Sequence, residues 1–330
     1  MSNHYRGRRG GPAGPALVVL ALLVLAAGIF FFYRRSGGAP PSGAAGSAAQ
    51  PGPAAGGQSQ TAPPPLNAVT ASGVPCVRTE LDDEALYTGE LILVNNSVLY
   101  HFPQEQELAR VYDEKTASYY VRDMEVYLSP AAMGALNDLL DAFLAQGGSK
   151  TVNVVAGYRD RAFQQHLFDQ SAQRNGQDHA EKYVAQPGGS EHHTGLVVDL
   201  SILYADGSSG DYDGSGEYAW INENCQNYGW VVRYETGKEA LTGIWDEPWH
   251  FRYVGVPHAT VMAEENLCLE EYIDYLKQFT FDQEHLTVDC ADGTYEIWYA
   301  EGSQIHVPDE GEYTVSGNNV DGLIVTCKVP

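Results

Sequence analysis

Two short segments about fifty residues apart constrain the fold most: Ser190-Glu-His-His-Thr-Gly-Leu-Val-Val-Asp199 and Glu247-Pro-Trp-His250. Together they carry imidazoles, carboxylates and a hydroxyl. One site built from both requires a chain path that returns the second segment to the first. The inventory suits a catalytic zinc, which takes three protein ligands from His, Asp or Glu and leaves a position for water. A spare carboxylate beside the metal would serve as general base.

The residues after Gly195 read as a buried strand. With a period of two, Leu196, Val198, Leu200 and Ile202 face one way, and Val197, Asp199, Ser201 and Leu203 face the other. Asp199 therefore sits opposite a clean apolar row. A carboxylate among apolar neighbours needs a partner, either a metal or an ion pair at the strand end. His192 lies in the turn entering this strand, and the adjacent His193 offers the same chemistry. His250 opens another strand through Val254, with Glu247 three residues earlier.

Other segments set the organisation. Ser129-Pro130 is a helix start, with apolar residues from Met133 to Leu144 at helical spacing and Gly147-Gly148 as the stop. A strand over 151–156 turns at Gly157-Tyr158-Arg159 into a second helix through about Arg174. A long polar loop is expected over 175–189. A helix follows over 217–227, a strand over 230–234, and a helical stretch from Pro257 to about Phe279 broken near 266–268. Short strands are expected at 90–94 and 97–100. From about Thr280 the chain turns strand-like, at 286–288, 295–299, 304–307 and 323–328, which reads as a small all-β appendage. Folding of the whole is expected from about Val74.

Residues Pro15 to Phe32 form an unbroken apolar run. Eighteen residues at about 1.5 Å each reach roughly 27 Å, close to the hydrocarbon thickness of a bilayer. We read 15–33 as one N-terminal membrane helix, 1–14 as a cytoplasmic N-terminus, and the Gly/Ala/Pro-rich 34–73 as a disordered linker. The body would lie outside the cell. The chain carries a net charge of −24, and beyond residue 35 it holds 14 basic and 43 acidic groups. Such a body repels nucleic acid, which excludes it as a partner. None of the five Cys sits in a CxxC pair, so a zinc knuckle is not expected, and Cys290 with Cys327 is the most plausible disulfide.

The motifs resemble those of the VanY-type zinc D-Ala-D-Ala carboxypeptidases. Ser190-x-His192-x-x-Gly195-x-Val197-x-Asp199 is similar to their S-x-H-x-x-G-x-A-x-D motif, and Glu247-Pro-Trp-His-Phe-Arg-Tyr-Val-Gly255 to their E-x-x-H motif and its continuation. Gly157-Tyr-Arg159 with Gln164 resembles their G-Y-R-S-x-x-x-Q segment. Tyr228 to Tyr234 and Thr242-Gly-Ile244 also match, in order, over roughly residues 85–278. The resemblance implies an α+β fold with a central antiparallel sheet flanked by helices. It implies His192 rather than His193 as a ligand, with Asp199 and His250 completing a Zn2+ site. It implies Glu247 as catalytic base, Arg159 as the reader of the substrate's terminal carboxylate, and Gln164 and Ser190 as residues near the substrate. Two departures stand out. Val197 replaces the usual Ala on the face of Asp199, and Asp160 replaces the usual Ser and is free to pair with Arg159.

The expected activity is zinc-dependent removal of the C-terminal D-Ala from peptidoglycan stem peptides by a monomeric ectodomain. An L,D-carboxypeptidase acting on tetrapeptide stems shares the motifs. A non-catalytic wall-binding module on the same fold is the alternative of a different class, since the likeness extends to the Hedgehog signalling domain. Retention of Glu247 and Arg159 argues against the module.

Overall fold

A computed structural model describes residues 68–330 of the chain. The expected N-terminus, membrane helix and most of the linker lie outside the described residues. Among the described residues, no helix is long and apolar enough to cross a membrane.

A six-stranded sheet organises the part of the chain that carries both motifs. Its order is Tyr120–Val121, Val152–Ala156, Val197–Leu203, His250–Tyr253, Trp230–Val232, with Ser209–Asp211 paired to Val197–Leu203. Every pairing is antiparallel except that of the first two strands. The alternation read from the sequence sorts its two faces. Val198 lies opposite Phe251, and Val154 opposite Leu200. These side chains share one buried core with the helix Pro130–Ala145. That helix starts where its sequence says, since the Ser129 side chain accepts a hydrogen bond from the Ala132 amide and Pro130 needs no partner for a missing N–H. The other face is polar and carries Asn153, Ser201, Asp199, His250 and Arg252, in register across the strands.

A second core lies under helices Val256–Glu264 and Leu269–Leu276, which pack with Leu91, Leu93, Val288, Ile297 and Ile324. The C-terminal strands form a four-stranded sheet ordered Leu286–Cys290, Gly293–Glu301, Gly322–Lys328, Tyr313–Gly317. The remaining C-terminal strand, Gln304–Pro308, pairs instead with Pro75–Glu80, which in turn pairs with Ala68–Val69. Val74 and Cys76 join Trp298, Ile305 and Val325 in a third core, which ties the C-terminal strands to the first described strands.

Several expectations are corrected. No ladder forms over 90–94 and 97–100. Side chains take the carbonyls there instead: Arg252 Nη2 donates to those of Glu90 and Ile92, and Asn319 Nδ2 to those of Leu93 and Leu99. The loop expected over 175–189 contains the helix Gln177–Tyr183. The helix expected over 217–227 is two single turns of 3-10 helix flanking a short α-helix, Ala219–Asn224. The strand Tyr313–Gly317 was not foreseen. All five cysteines are free thiols, Cys290 and Cys327 included. The Gly293–Glu301 strand runs between their strands. Two strand spacings, roughly 9–10 Å, exceed the reach of about 7 Å between Cα atoms that a disulfide allows.

Candidate metal centre and active site

Asp199 and His250 are direct cross-strand partners on the polar face. His192 enters from the 3-10 turn Glu191–Thr194, which Ser190 caps by accepting from the His192 amide at 3.4 Å. Gly195 closes the turn at φ +71, a left-handed conformation that glycine adopts without strain. One ligand atom from each of His192, Asp199 and His250 lies within 4.8 Å of the others. Two imidazoles and a carboxylate converging on one point are the donor set of a catalytic zinc.

The outer nitrogen of each histidine faces an acceptor, which orients the ring. His192 Nδ1 lies 2.6 Å from the Gly157 carbonyl oxygen and its Nε2 3.3 Å from Asp199 Oδ2. A bulge between Val154 and Ala156 carries the chain to Gly157, where a Cβ would collide with the Tyr127 carbonyl. His250 presents Nδ1 to Asp199 Oδ1 at 2.8 Å. Its Nε2 faces Glu191 Oε2 at 3.5 Å, at ion-pair distance but without hydrogen-bond alignment. Tyr234 stacks on the same imidazole, with ring centroids 5.4 Å apart. This orientation of metal-binding histidines through their second nitrogen is the usual way such ligands are held. His193, the competing ligand, points away: its Nδ1 lies 2.7 Å from the Arg159 carbonyl and its Nε2 accepts from the Gly188 amide.

Glu191 was not singled out from the sequence. It is fully buried and sits 2.9 Å from Arg252 Nη1 and 2.9 Å from Arg233 Nε. Arg233 also makes a bidentate pair with Glu270 at 2.8 Å. Burial opposes the charge on Glu191, but Arg233 and Arg252 hold its carboxyl far below the usual carboxylate range. The signal was present in the sequence, because Arg252 follows His250 at strand period two, which puts a cation on the ligand face beneath Val197.

Burial lowers the His192 pKa to about 4, with the Arg159 charge adding to it, so this imidazole is neutral and its lone pair available. In the polypeptide itself burial works against a charged His250, but its contacts with Asp199 and Glu191 prevail and raise it to about 9. Burial also opposes ionisation of Asp199, which its histidine partners and Arg159 nonetheless hold well below the usual range.

Glu247 stands 3.9 Å from His250 Nδ1 and outside the converging set. Burial raises its pKa to about 7, His250 partly offsetting this. Arg159 donates from Nη2 to Asp199 Oδ2 at 2.8 Å, its one side-chain partner among the described residues. Asp160 does not pair with it; its Oδ1 caps the following helix by accepting from the Phe163 amide at 2.7 Å. Val197 is fully buried opposite Arg252. Gln164 is also buried, and its amide nitrogen donates to the Ala185 carbonyl at 2.8 Å, so the structure places it against the 183–190 segment.

The family model for VanY, D-alanyl-D-alanine carboxypeptidase, matches residues 125–256. A D-alanyl-D-alanine carboxypeptidase of Enterococcus faecium is 34% identical over 256 residues, covering 74% of this chain and 77% of that protein. The bifunctional D-Ala-D-Ala dipeptidase and carboxypeptidase VanXYC of Enterococcus gallinarum is 36% identical over 159 residues, 47% of this chain and 82% of its own length. Among solved structures, the vancomycin-resistance D,D-dipeptidase VanXYg, in complex with a D-Ala-D-Ala phosphinate analogue, superposes with a TM-score of 0.69 at 32% identity, covering 77% of this chain and 99% of that one. With a relative 34% identical over most of both chains and the family model matched over 125–256, this chain belongs to the VanY family of D-alanyl-D-alanine carboxypeptidases.

Proposed function

We propose that this chain is a zinc-dependent D,D-carboxypeptidase that removes the terminal D-Ala from peptidoglycan stem pentapeptides. The observation carrying this reading is the convergence of His192, Asp199 and His250, with Glu247 and Arg159 at its edge. His192, Asp199 and His250 would hold Zn2+. Bound zinc supplies Lewis acidity, lowering the pKa of water toward about 7 and polarising a carbonyl.

The remaining work falls to side chains. Glu247, with a carboxyl raised to about 7, takes a proton from the attacking water and delivers it to the departing amine. Arg159 uses its planar fork to hold the terminal carboxylate, which limits cleavage to the last residue. Glu191 keeps the His250 ring in place through Nε2. Ser190 fixes the turn that presents His192, and Gln164 supports the segment that precedes it.

We place the catalytic body outside the membrane, anchored by 15–33 and spaced from it by the linker. The apolar run and the Gly/Ala/Pro composition support this, and detergent-dependent extraction of the full chain from membranes tests it. We take the ectodomain to act as a monomer, and sedimentation or light scattering of the purified chain tests this. Mass spectrometry of defined pentapeptide and tetrapeptide stems tests the reaction. D-Ala release from the pentapeptide alone is the expected result, and release only from the tetrapeptide would assign an L,D-carboxypeptidase instead.

A further inference from the structure

Tyr183 and Trp245 come together from two segments that run directly into the active site. Their ring centroids are 6.0 Å apart with planes 32° from parallel. His179 continues the stack against Tyr183, at 4.6 Å and 34°. Trp245 is 51% exposed and Tyr183 37%, although large aromatic side chains gain most from burial. Single exposed apolar residues are ordinary, but a run of three rings, each touching the next, beside segments that lead into a site is not.

The placement follows from the chain. Tyr183 ends the Gln177–Tyr183 helix, seven residues before Ser190, and the intervening segment is held by Gln164 through the Ala185 carbonyl and by His193 through the Gly188 amide. Trp245 precedes Glu247 by two residues, and the Glu247 amide is fixed to the Tyr234 carbonyl at 2.9 Å. At about 3.5 Å per extended residue, the Cα of Trp245 lies within roughly 7 Å of that of Glu247. An indole reaches several ångströms further.

We propose that Tyr183 and Trp245 form a subsite for a sugar ring of the glycan strand to which the stem peptide is attached. The proposal rests on the reading of the substrate given above. An exopeptidase that holds the stem's last residue at Arg159 must let the other end lead outward. The sugar is joined to the first residue of the stem, four residues from the scissile bond, which is roughly 13 Å of extended chain. Trp245, even with its indole extended beyond the 7 Å limit, lies within that span of Glu247. The C–H face of a pyranose is flat and weakly apolar, and it packs on the face of an aromatic ring while its hydroxyls stay in water. The acidic body offers a polyanion nothing here, whereas a ring face needs no charge complement.

The test compares two substrates with the same pentapeptide, one free and one carrying the disaccharide, using the zinc-loaded full chain. The wild type is expected to show a KM about five- to tenfold lower for the sugar-bearing substrate. Trp245→Ala should abolish this preference and leave kinetics on the free peptide within about twofold. Trp245→Phe and Tyr183→Phe should retain most of it. Equal KM for both substrates in the wild type, or an equal loss on both in Trp245→Ala, would overturn the proposal, the latter assigning the rings to the peptide path. Calorimetric titration with the sugar-bearing and sugar-free tetrapeptide products supplies a readout independent of turnover. Failure to cleave either substrate would refute the enzymatic reading, and a sugar-dependent affinity lost in Trp245→Ala would then still support the subsite.

Discussion

His250 and Asp199 are direct partners across two antiparallel strands, and the imidazole Nδ1 lies 2.8 Å from the carboxylate Oδ1. Register alone puts these two side chains side by side, and a one-residue slip between the strands would send one of them to the apolar face. His192 needs a separate device, the capped turn at Ser190. The site is therefore as rigid as the sheet on one side and depends on a short turn on the other.

The first prediction concerns Glu191. Glu191→Gln keeps the shape but removes the charge facing His250 Nε2, and zinc affinity should fall about 10- to 100-fold. Glu191→Ala should cost more in folding, about 3–5 kcal/mol, because Arg233 and Arg252 would be left buried with one counter-charge fewer. Chelator competition reads the first effect and denaturant unfolding the second. Unchanged zinc affinity in Glu191→Gln would mean that His250 is held by Asp199 and Tyr234 alone.

The convergence of His192, Asp199 and His250 was legible through the motif resemblance, which chose His192 where the residues themselves left His193 equally open. The apolar row from Leu196 to Ile202 likewise gave the sheet face directly. Glu191 was harder to read, because a carboxylate beside His192 looks solvent-facing until Arg252, on the His250 strand, and Arg233, just past Trp230–Val232, close on it. The region 90–100 reads as strand by residue type, yet its carbonyls are claimed by Arg252 and Asn319, contacts 160 to 226 residues away in sequence. Propensity yields to such long-range partners. The disulfide expectation failed for a similar reason, since only strand order reveals that Gly293–Glu301 separates the two cysteines.

Arg159 should read the free carboxylate. Arg159→Ala is expected to lower kcat/KM about 10- to 100-fold, consistent with losing charge-assisted hydrogen bonds worth about 1.5–3 kcal/mol. The wild type should discriminate against a D-Ala amide terminus, and the variant should not. Retained discrimination in Arg159→Ala would assign carboxylate recognition elsewhere.

Stability should fall with acid through His258. It is buried between the Tyr272 hydroxyl and Thr326 Oγ1, each 2.9 Å away, and burial lowers its pKa to about 3. An unfolded histidine titrates near 6.5. Between those values the unfolded chain binds the extra proton, so stability declines as pH drops from about 6.5 toward 3, by about 1.4 kcal/mol per pH unit from this residue. His258→Gln should flatten the urea-midpoint profile over pH 6 to 4 by about one proton. An unchanged slope would show that His258 does not stay neutral when folded.

All five thiols should be titratable in the denatured, unreduced protein. In the native state they should react slowly, because burial raises Cys76, Cys268 and Cys327 to about 11 and Cys225 to about 12. Intact-mass analysis after alkylation counts them. Fewer than five labels after denaturation would reveal a disulfide.

The central claim is that His192, Asp199 and His250 hold a zinc ion on which Glu247 depends for hydrolysis of a terminal D-Ala-D-Ala bond. The most direct test is D-Ala release from a stem pentapeptide by the purified chain, measured as isolated, after chelation and after zinc is restored, alongside Glu247→Ala. The account predicts release that chelation abolishes and zinc restores, with Glu247→Ala keeping its zinc but losing about 10²- to 10⁴-fold in kcat. Release that survives chelation, or a Glu247→Ala protein with wild-type kcat, would contradict it.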